Sequence, residues 1–150
     1  GTLLTGPLVC GTSQVINDWC DRHVDAINEP DRPIPSGRVP GRWPVGIALV
    51  GAALSLALGA ALGSWAFWAT CAALFCGWAY SAPPLRFKRS GWTGPLVCAL
   101  SYEGLAWFTG AAVLLAAAPL LPVLVVLLLY SLGAHGIMTL NDFKAVAGDR

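Results

Sequence analysis

The chain has 150 residues, 56% of them hydrophobic and 11% charged, with a formal net charge of +1. A soluble domain carries about 25% charged residues, so this composition excludes an ordinary soluble fold and makes the lipid bilayer the expected partner. The near-zero net charge hides a strong asymmetry along the sequence, and nucleic acid is not an expected partner.

Gly1 to Ile16 is almost wholly apolar and reads as a helix. Directly after it comes Asn17-Asp18-x-x-Asp21-x-x-x-Asp25. On a helix, positions 18, 21 and 25 fall within about 60° of one another, and Asn17, Asp21 and Asp25 repeat every four residues. An apolar helix gives a carboxylate no solvation, and acidic oxygens so crowded repel one another unless a cation sits between them. Oxygen-only ligation suits a hard divalent ion. Mg²⁺ takes one or two carboxylates and shares the rest of its shell with substrate phosphates. Asn17, Asp18, Asp21 and Asp25 are therefore candidate metal ligands. The competing reading is a solvated loop of alternating charge, because Arg22 and Arg32 lie close by.

Nothing charged lies between Arg42 and Arg86, or between Glu103 and Asp142. A spanning helix needs about 20 apolar residues, so the first gap holds two helices and the second most of another two. Helices are expected near 1–16, 43–62, 65–82, 95–117 and 120–140, with turns at Gly63-Ser64 and from Pro119 to Pro122. The fold class is all-α: a polytopic transmembrane helical bundle, with one intramembrane domain over 1–150 and polar loops at 17–42 and 83–94. Two spans separate each charged segment from the next, which puts all 9 Lys and Arg residues on one side. The opposite turns carry none, so the charged side reads as cytoplasmic. The chain opens without an initiator Met inside a short apolar run and stops within a charged segment. It therefore reads as a piece truncated at both ends, without a signal peptide. Cys10, Cys20, Cys71, Cys76 and Cys98 show no C-x-x-C spacing, and neither disulfides nor a metal–thiolate site is expected.

A second acidic element closes the chain, Asn141-Asp142-Phe143-Lys144 through Gly148-Asp149-Arg150. Asp142 and Asp149 are seven apart, which a continuing helix places on one side. Two such clusters on one membrane face suit two Mg²⁺ ions on opposite sides of a diphosphate. That arrangement neutralises the leaving group of an allylic diphosphate, which then departs to give a delocalised carbocation. Arg32, Arg38, Arg86, Lys88 and Arg89 are candidates to grip the remaining phosphate oxygens.

Asn17-x-x-x-Asp21-x-x-x-Asp25, the later acidic element and Tyr80-Ser-Ala-Pro-Pro-Leu-Arg-Phe-Lys88-Arg89 together resemble the UbiA-type intramembrane prenyltransferase superfamily. Asp25-Ala-Ile-Asn-Glu-Pro-Asp-Arg-Pro-Ile-Pro-Ser-Gly37, Tyr80 to Leu85, and Asn141 to Lys144 with Gly148 to Arg150 resemble its chlorophyll synthase branch. Gly133 to Lys144 resembles the bacteriochlorophyll synthases of that branch most. The resemblance implies a nine-helix bundle, of which about five helices fall here, and Mg²⁺ as cofactor. It implies that Asp21, Asp25, Asp142 and Asp149 serve catalysis through the metal, and it adds Asn17, Tyr80 and Lys144 to the substrate-binding residues. The implied reaction moves a geranylgeranyl or phytyl group from its diphosphate to the propionate carboxylate of bacteriochlorophyllide a. The implied place is a bacterial cytoplasmic or intracytoplasmic photosynthetic membrane, in association with other pigment-pathway or photosynthetic proteins. A chlorophyllide-specific or quinone/aromatic-acid prenyltransferase of the same superfamily is the alternative. The chain departs from the pattern at Ala145, four residues before Asp149, and at Ala147, where this branch carries an acidic residue.

Glu103 is the only charge inside a span, about 12 Å along the helix from Pro95, and His135 lies seven residues before Asp142. A transporter using both as relay groups, or a pigment-binding subunit built around His135, are readings from other classes. Neither accounts for both Asn-Asp clusters. A packed core role suits His135 better, and His23 reads as solvated. The seven Trp residues read mostly as interface anchors and packing, with Trp78 or Trp107 candidates for lining a polyprenyl cavity.

Overall fold

The computed structural model describes the backbone of residues 1–145 and the side chains of residues 1–140. Helix α1 covers Gly11–Asn28 and continues, without a break, a π-helical segment at Leu4–Cys10. Then come α2 (Trp43–Ala61), α3 (Ser64–Ser81), α4 (Thr93–Leu115) and α5 (Leu121–Ala145). A short 3-10 turn at Phe87–Arg89 precedes α4, and a second π-helical segment, Leu100–Leu105, lies in the middle of α4. The described residues contain no strand, which agrees with the all-α expectation. The boundaries of α2, α3 and α4 fall within two residues of those read from the sequence.

Two boundaries differ. The polar loop expected at 17–42 begins only at Glu29, because α1 runs on through Asn28. No Gly or Pro interrupts positions 12 to 29, so nothing in the backbone stops the helix where the apolar character stops. Pro30 ends it, by denying the preceding residue a helical conformation; Glu29 sits at φ −140° and ψ 64°. The acidic motif is thus helical, not a loop. At the other end α5 passes position 140 and continues to Ala145. The side chains of Asp142 and Lys144, and all of Asp149 and Arg150, lie outside the described residues.

Turn chemistry explains the tight connections. Gly63 takes φ 116°, open to glycine and poorly tolerated by other residues, and so joins α2 to α3 directly. Pro44 opens α2 in its first turn, where a missing N–H costs nothing. Among the described residues, three segments are long and apolar enough to cross a membrane: Trp43–Ala61, Thr93–Leu115 and Leu121–Leu140.

α1, α2 and α3 pack pairwise on one another, while α4 pairs with α5 and leans on α3. In lipid, helices gain little by hiding apolar surface, so close van der Waals contact between small residues must hold them. Here glycines meet hydroxyl-bearing residues. Gly51 of α2 receives Thr12 of α1, and Gly77 of α3 receives Ser13. A Cβ on Gly77 would stand 2.8 Å from Ser13 Cβ, one on Gly59 2.8 Å from Thr70 Oγ1, and one on Gly104 3.1 Å from Ser131 Oγ. Most of these hydroxyls are satisfied within their own helices: Ser13 donates to Cys10 O, Thr70 to Ala66 O and Ser131 to Leu127 O, each at 2.8 Å. Thr12 and Ser13 clamp α1 between α2 and α3 one turn before Asn17, which sets the rotation of the acidic motif.

Gly51→Val and Gly77→Val should each destabilise the full-length protein by about 1–3 kcal/mol, the usual cost of overpacking. Gly46→Val, where a Cβ meets nothing within 4 Å, should leave stability unchanged. Thermal unfolding in detergent reads the difference.

Candidate functional site at the polar end of α1

The polar end of α1 presents Asp18, Asp21 and Asp25, and basic side chains from two later loops reach back to them. Arg32 donates to Asp18 Oδ1 at 3.0 Å and to Asp25 Oδ2 at 3.4 Å, and its Nε pairs with Glu29. From the loop after α3, Arg86 reaches Asp21 Oδ1 at 3.4 Å, and Lys88 pairs with Asp21 Oδ2. Asn17 donates to Ser81 Oγ at 3.0 Å, tying the start of the motif to the end of α3. The Asp18, Asp21 and Asp25 side chains are only 14–25% exposed, so their pairs are better shielded than ordinary surface ion pairs, whereas Glu29 is 56% exposed. Burial raises the Asp18 carboxyl above its ordinary value. Arg32 works against that rise, while Asp25 and Asp21 add to it.

Arg86 adopts a left-handed backbone, φ 41° and ψ 53°. Its Nε is buried without a partner among the described residues. Such an orphaned guanidinium N–H next to an ion-paired carboxylate is a ready donor for an anionic ligand. Of the five basic residues expected to grip phosphate, Arg32, Arg86 and Lys88 meet the acidic face. Two others do not join it. Arg38 donates to Ser36 Oγ and Asp31 O within its own loop. Exposed Arg89 makes no described hydrogen bond to the carboxylates. His23 is exposed, as expected for a solvated residue. His135 is 8% exposed and packs at 4.6 Å edge-on to Trp92, and neither ring nitrogen has a hydrogen-bond partner among the described residues. The cysteines form no disulfide.

Behind the acidic end, two adjoining cavities of about 280 and 250 Å³ run between α1, α3 and α4. The larger opens beside Asn17 and Tyr80; the smaller lies farther from the polar end, reaching Thr70 and Thr109. Thr5, Val9, Ser13 and Asn17 line the larger one. With Asp21 and Asp25 they form one unbroken four-residue repeat, so the acidic motif is the polar continuation of the cavity wall. On an ideal α-helix each four-residue step drifts about 40° around the axis. The wider π-helical turn at Leu4–Cys10 offsets that drift. α4 uses the same device: Cys98, Tyr102 and Ala106, and Val97, Ser101, Leu105 and Thr109, face the cavities around the π-helical Leu100–Leu105. Glu103, Trp78, Trp107 and His135 line neither cavity.

The donor set suits a hard cation, with one correction to the expected cage. Among the described residues no three acidic groups converge on one point. Asp18 and Asp25 share Arg32, whereas Asp21 faces Arg86 and Lys88. That split fits an ion taking one or two carboxylates from the protein and the rest of its shell from a ligand. Sequence reasoning missed Ser81, Gln14 and Tyr102. Upstream extension of the Asn17, Asp21, Asp25 repeat reaches the cavity-lining Ser13 and Val9 but none of these three.

The UbiA prenyltransferase family matches residues 1–150. The chain is 65% identical over its whole length to the bacteriochlorophyll synthase 33 kDa chain of Cereibacter sphaeroides, covering 50% of that protein. It is 61% identical to the bacteriochlorophyll synthase 33 kDa chain of Rhodobacter capsulatus, again covering all of this chain and 50% of the relative. Chloroplastic chlorophyll synthase of Avena sativa is 41% identical over 99% of this chain and 40% of its own length. The chain thus spans about half the length of the curated relatives it matches. No solved structure matches it. With a family match over every residue and spanning helices in the fold, this integral membrane chain belongs to the UbiA prenyltransferase family.

Proposed function

We propose that the protein containing this chain transfers a geranylgeranyl or phytyl group from its diphosphate to the propionate carboxylate of bacteriochlorophyllide a. The observation that carries this reading is the continuity of an acidic, cation-ringed helix end with a cavity between helices, along a single face of α1. A diphosphate ester needs those two environments side by side, a charged end and a sheltered tail. The higher identity to bacteriochlorophyll synthases than to chlorophyll synthase supports the choice of pigment.

In this reading Asp21 and Asp25, with Asp18 and Asn17, would hold Mg²⁺ on one side of the diphosphate, and Asp142 and Asp149 on the other. Bound there, the metal would neutralise the departing diphosphate. Arg86, with its unpaired Nε–H, and Lys88 bind phosphate oxygens. Arg32 releases its carboxylates and turns to the same anion. Asn17 and Tyr80 stand where charge gives way to cavity and fix the entry of the chain. The helix walls keep water from the allylic cation until the carboxylate captures it. The charged loops face the cytoplasm of a bacterial cytoplasmic or intracytoplasmic membrane, following the positive-inside rule.

Asp21→Asn and Asp25→Asn in the full-length protein should each lower kcat/KM by about 10²-fold or more, the scale of losing one fixed charge partner of the transition state. Both should remain folded, with a lowered thermal stability because Arg32, or Arg86 and Lys88, loses a partner. Wild-type turnover at limiting Mg²⁺ in either variant refutes the metal assignment.

Lys88→Met should raise KM for the prenyl diphosphate about tenfold, the size of one charge-assisted hydrogen bond. KM for the acceptor should stay unchanged, as steady-state kinetics with each substrate varied will read.

Membranes carrying the full-length protein should form the geranylgeranyl ester of bacteriochlorophyllide a and leave 4-hydroxybenzoate unprenylated. Prenylation of the benzoate with the pigment untouched shows the acceptor reading to be wrong.

A further inference from the structure

One polar pair in the cavity has no part in the diphosphate chemistry. Gln14 Nε2 donates to the Tyr102 hydroxyl at 3.3 Å, and the same hydroxyl meets Cys10 Sγ at 3.5 Å. Both side chains line the larger cavity, and both are exposed, Tyr102 by 50%. The wall around them mixes polar Ser13, Asn17, Tyr80 and Ser101 with apolar Val9, Ala73 and Val97. Gln14 keeps a second amide N–H to give, and the Tyr102 O–H can turn from the cysteine sulfur to another acceptor. Ser101, beside Tyr102, has a hydroxyl with no partner among the described residues.

The position is informative. Gln14 lies three residues, about 4.5 Å, along α1 from Asn17 and about 10 Å from Asp21. A diphosphate held at Asp21, Arg86 and Lys88 with its chain entering the cavity places the allylic carbon at the level of this pair. The π-helical segment of α4 brings Tyr102 across to α1 at that level.

Resting on the prenyl-transfer reading above, we propose that Gln14 and Tyr102 position the acceptor's carboxylate beside the allylic carbon. They are neutral donors. An arginine there would hold the carboxylate lone pairs in a strong ion pair and blunt their attack, whereas an amide and a phenol orient the oxygen and leave it nucleophilic. The bond between the allylic carbon and the diphosphate oxygen breaks with its electron pair leaving on the diphosphate. A lone pair of the carboxylate oxygen then makes the new carbon–oxygen bond of the ester. No proton moves, because the acceptor enters ionised.

Two measurements on the full-length protein test this. Without prenyl donor, fluorescence titration should show that it binds bacteriochlorophyllide a about tenfold tighter than the methyl ester of its propionate. Gln14→Leu and Tyr102→Phe should each remove most of that preference, and Gln14→Glu should reverse it by repelling the free acid. During turnover, the same variants should raise KM for the acceptor about tenfold and leave KM for the prenyl diphosphate within twofold. They should also release more free prenyl alcohol per ester formed, as water captures the misaligned cation. Equal binding of acid and methyl ester by the wild-type protein overturns the proposal, as does a parallel rise of both KM values in the variants. Selective binding of the acid with no ester formed would fail the prenyl-transfer reading and leave the carboxylate site standing.

Discussion

Three carboxylates on the last turns of a helix that rises out of an apolar bundle impose the constraint to which the rest of the structure answers. Their mutual repulsion is met from outside the helix, by Arg32 in the following loop and by Arg86 and Lys88 two helices later. Removing one partner of a poorly solvated pair leaves the other uncompensated, at a cost well above that of a surface pair. The loops after α1 and α3 are therefore tethered to α1 by charge. In the proposed reaction a cation would replace the guanidinium and ammonium groups, freeing them for an anion. In the proposed liganded arrangement the same residues would exchange partners.

That exchange works only if α1 presents its face in a fixed direction. Gly51 and Gly77 let Thr12 and Ser13 sink into α2 and α3, and Asn17 is pinned to Ser81 one turn later. The π-helical segments in α1 and α4 then keep a four-residue repeat turned toward the cavity over several turns, which an ideal α-helix cannot do. Packing thus fixes rotation, rotation fixes the repeat, and the repeat joins the charged end to the apolar interior.

Much of this is written locally in the sequence. Uncharged gaps mark the helices after Arg42, Gly63 marks its turn, and the spacing of Asn17, Asp21 and Asp25 marks a shared face. The loop assigned from residue 17 failed because polarity was taken for a helix end. Polar residues without Gly or Pro stay helical, and Pro30 is the real stop. Arg38 and Arg89 looked equivalent to Arg32 and Lys88, since the reach of a side chain depends on loop folding that spacing does not encode. Gln14 and Tyr102 are 88 residues apart, and only the packing of α4 beside α1 brings them together. Pro7 lies inside the first π-helical segment, but the second has no such marker.

Cys10, Cys76 and Cys98 come from three different helices and line the same cavity. None is disulfide-bonded. A thiol is alkylated only where a reagent can reach its sulfur, so a tail lying in that space would shelter three sulfurs that an empty one leaves open. Without any added label, the molecule carries its own occupancy gauge: the rate at which a small maleimide consumes these thiols counts how often the chamber is vacant.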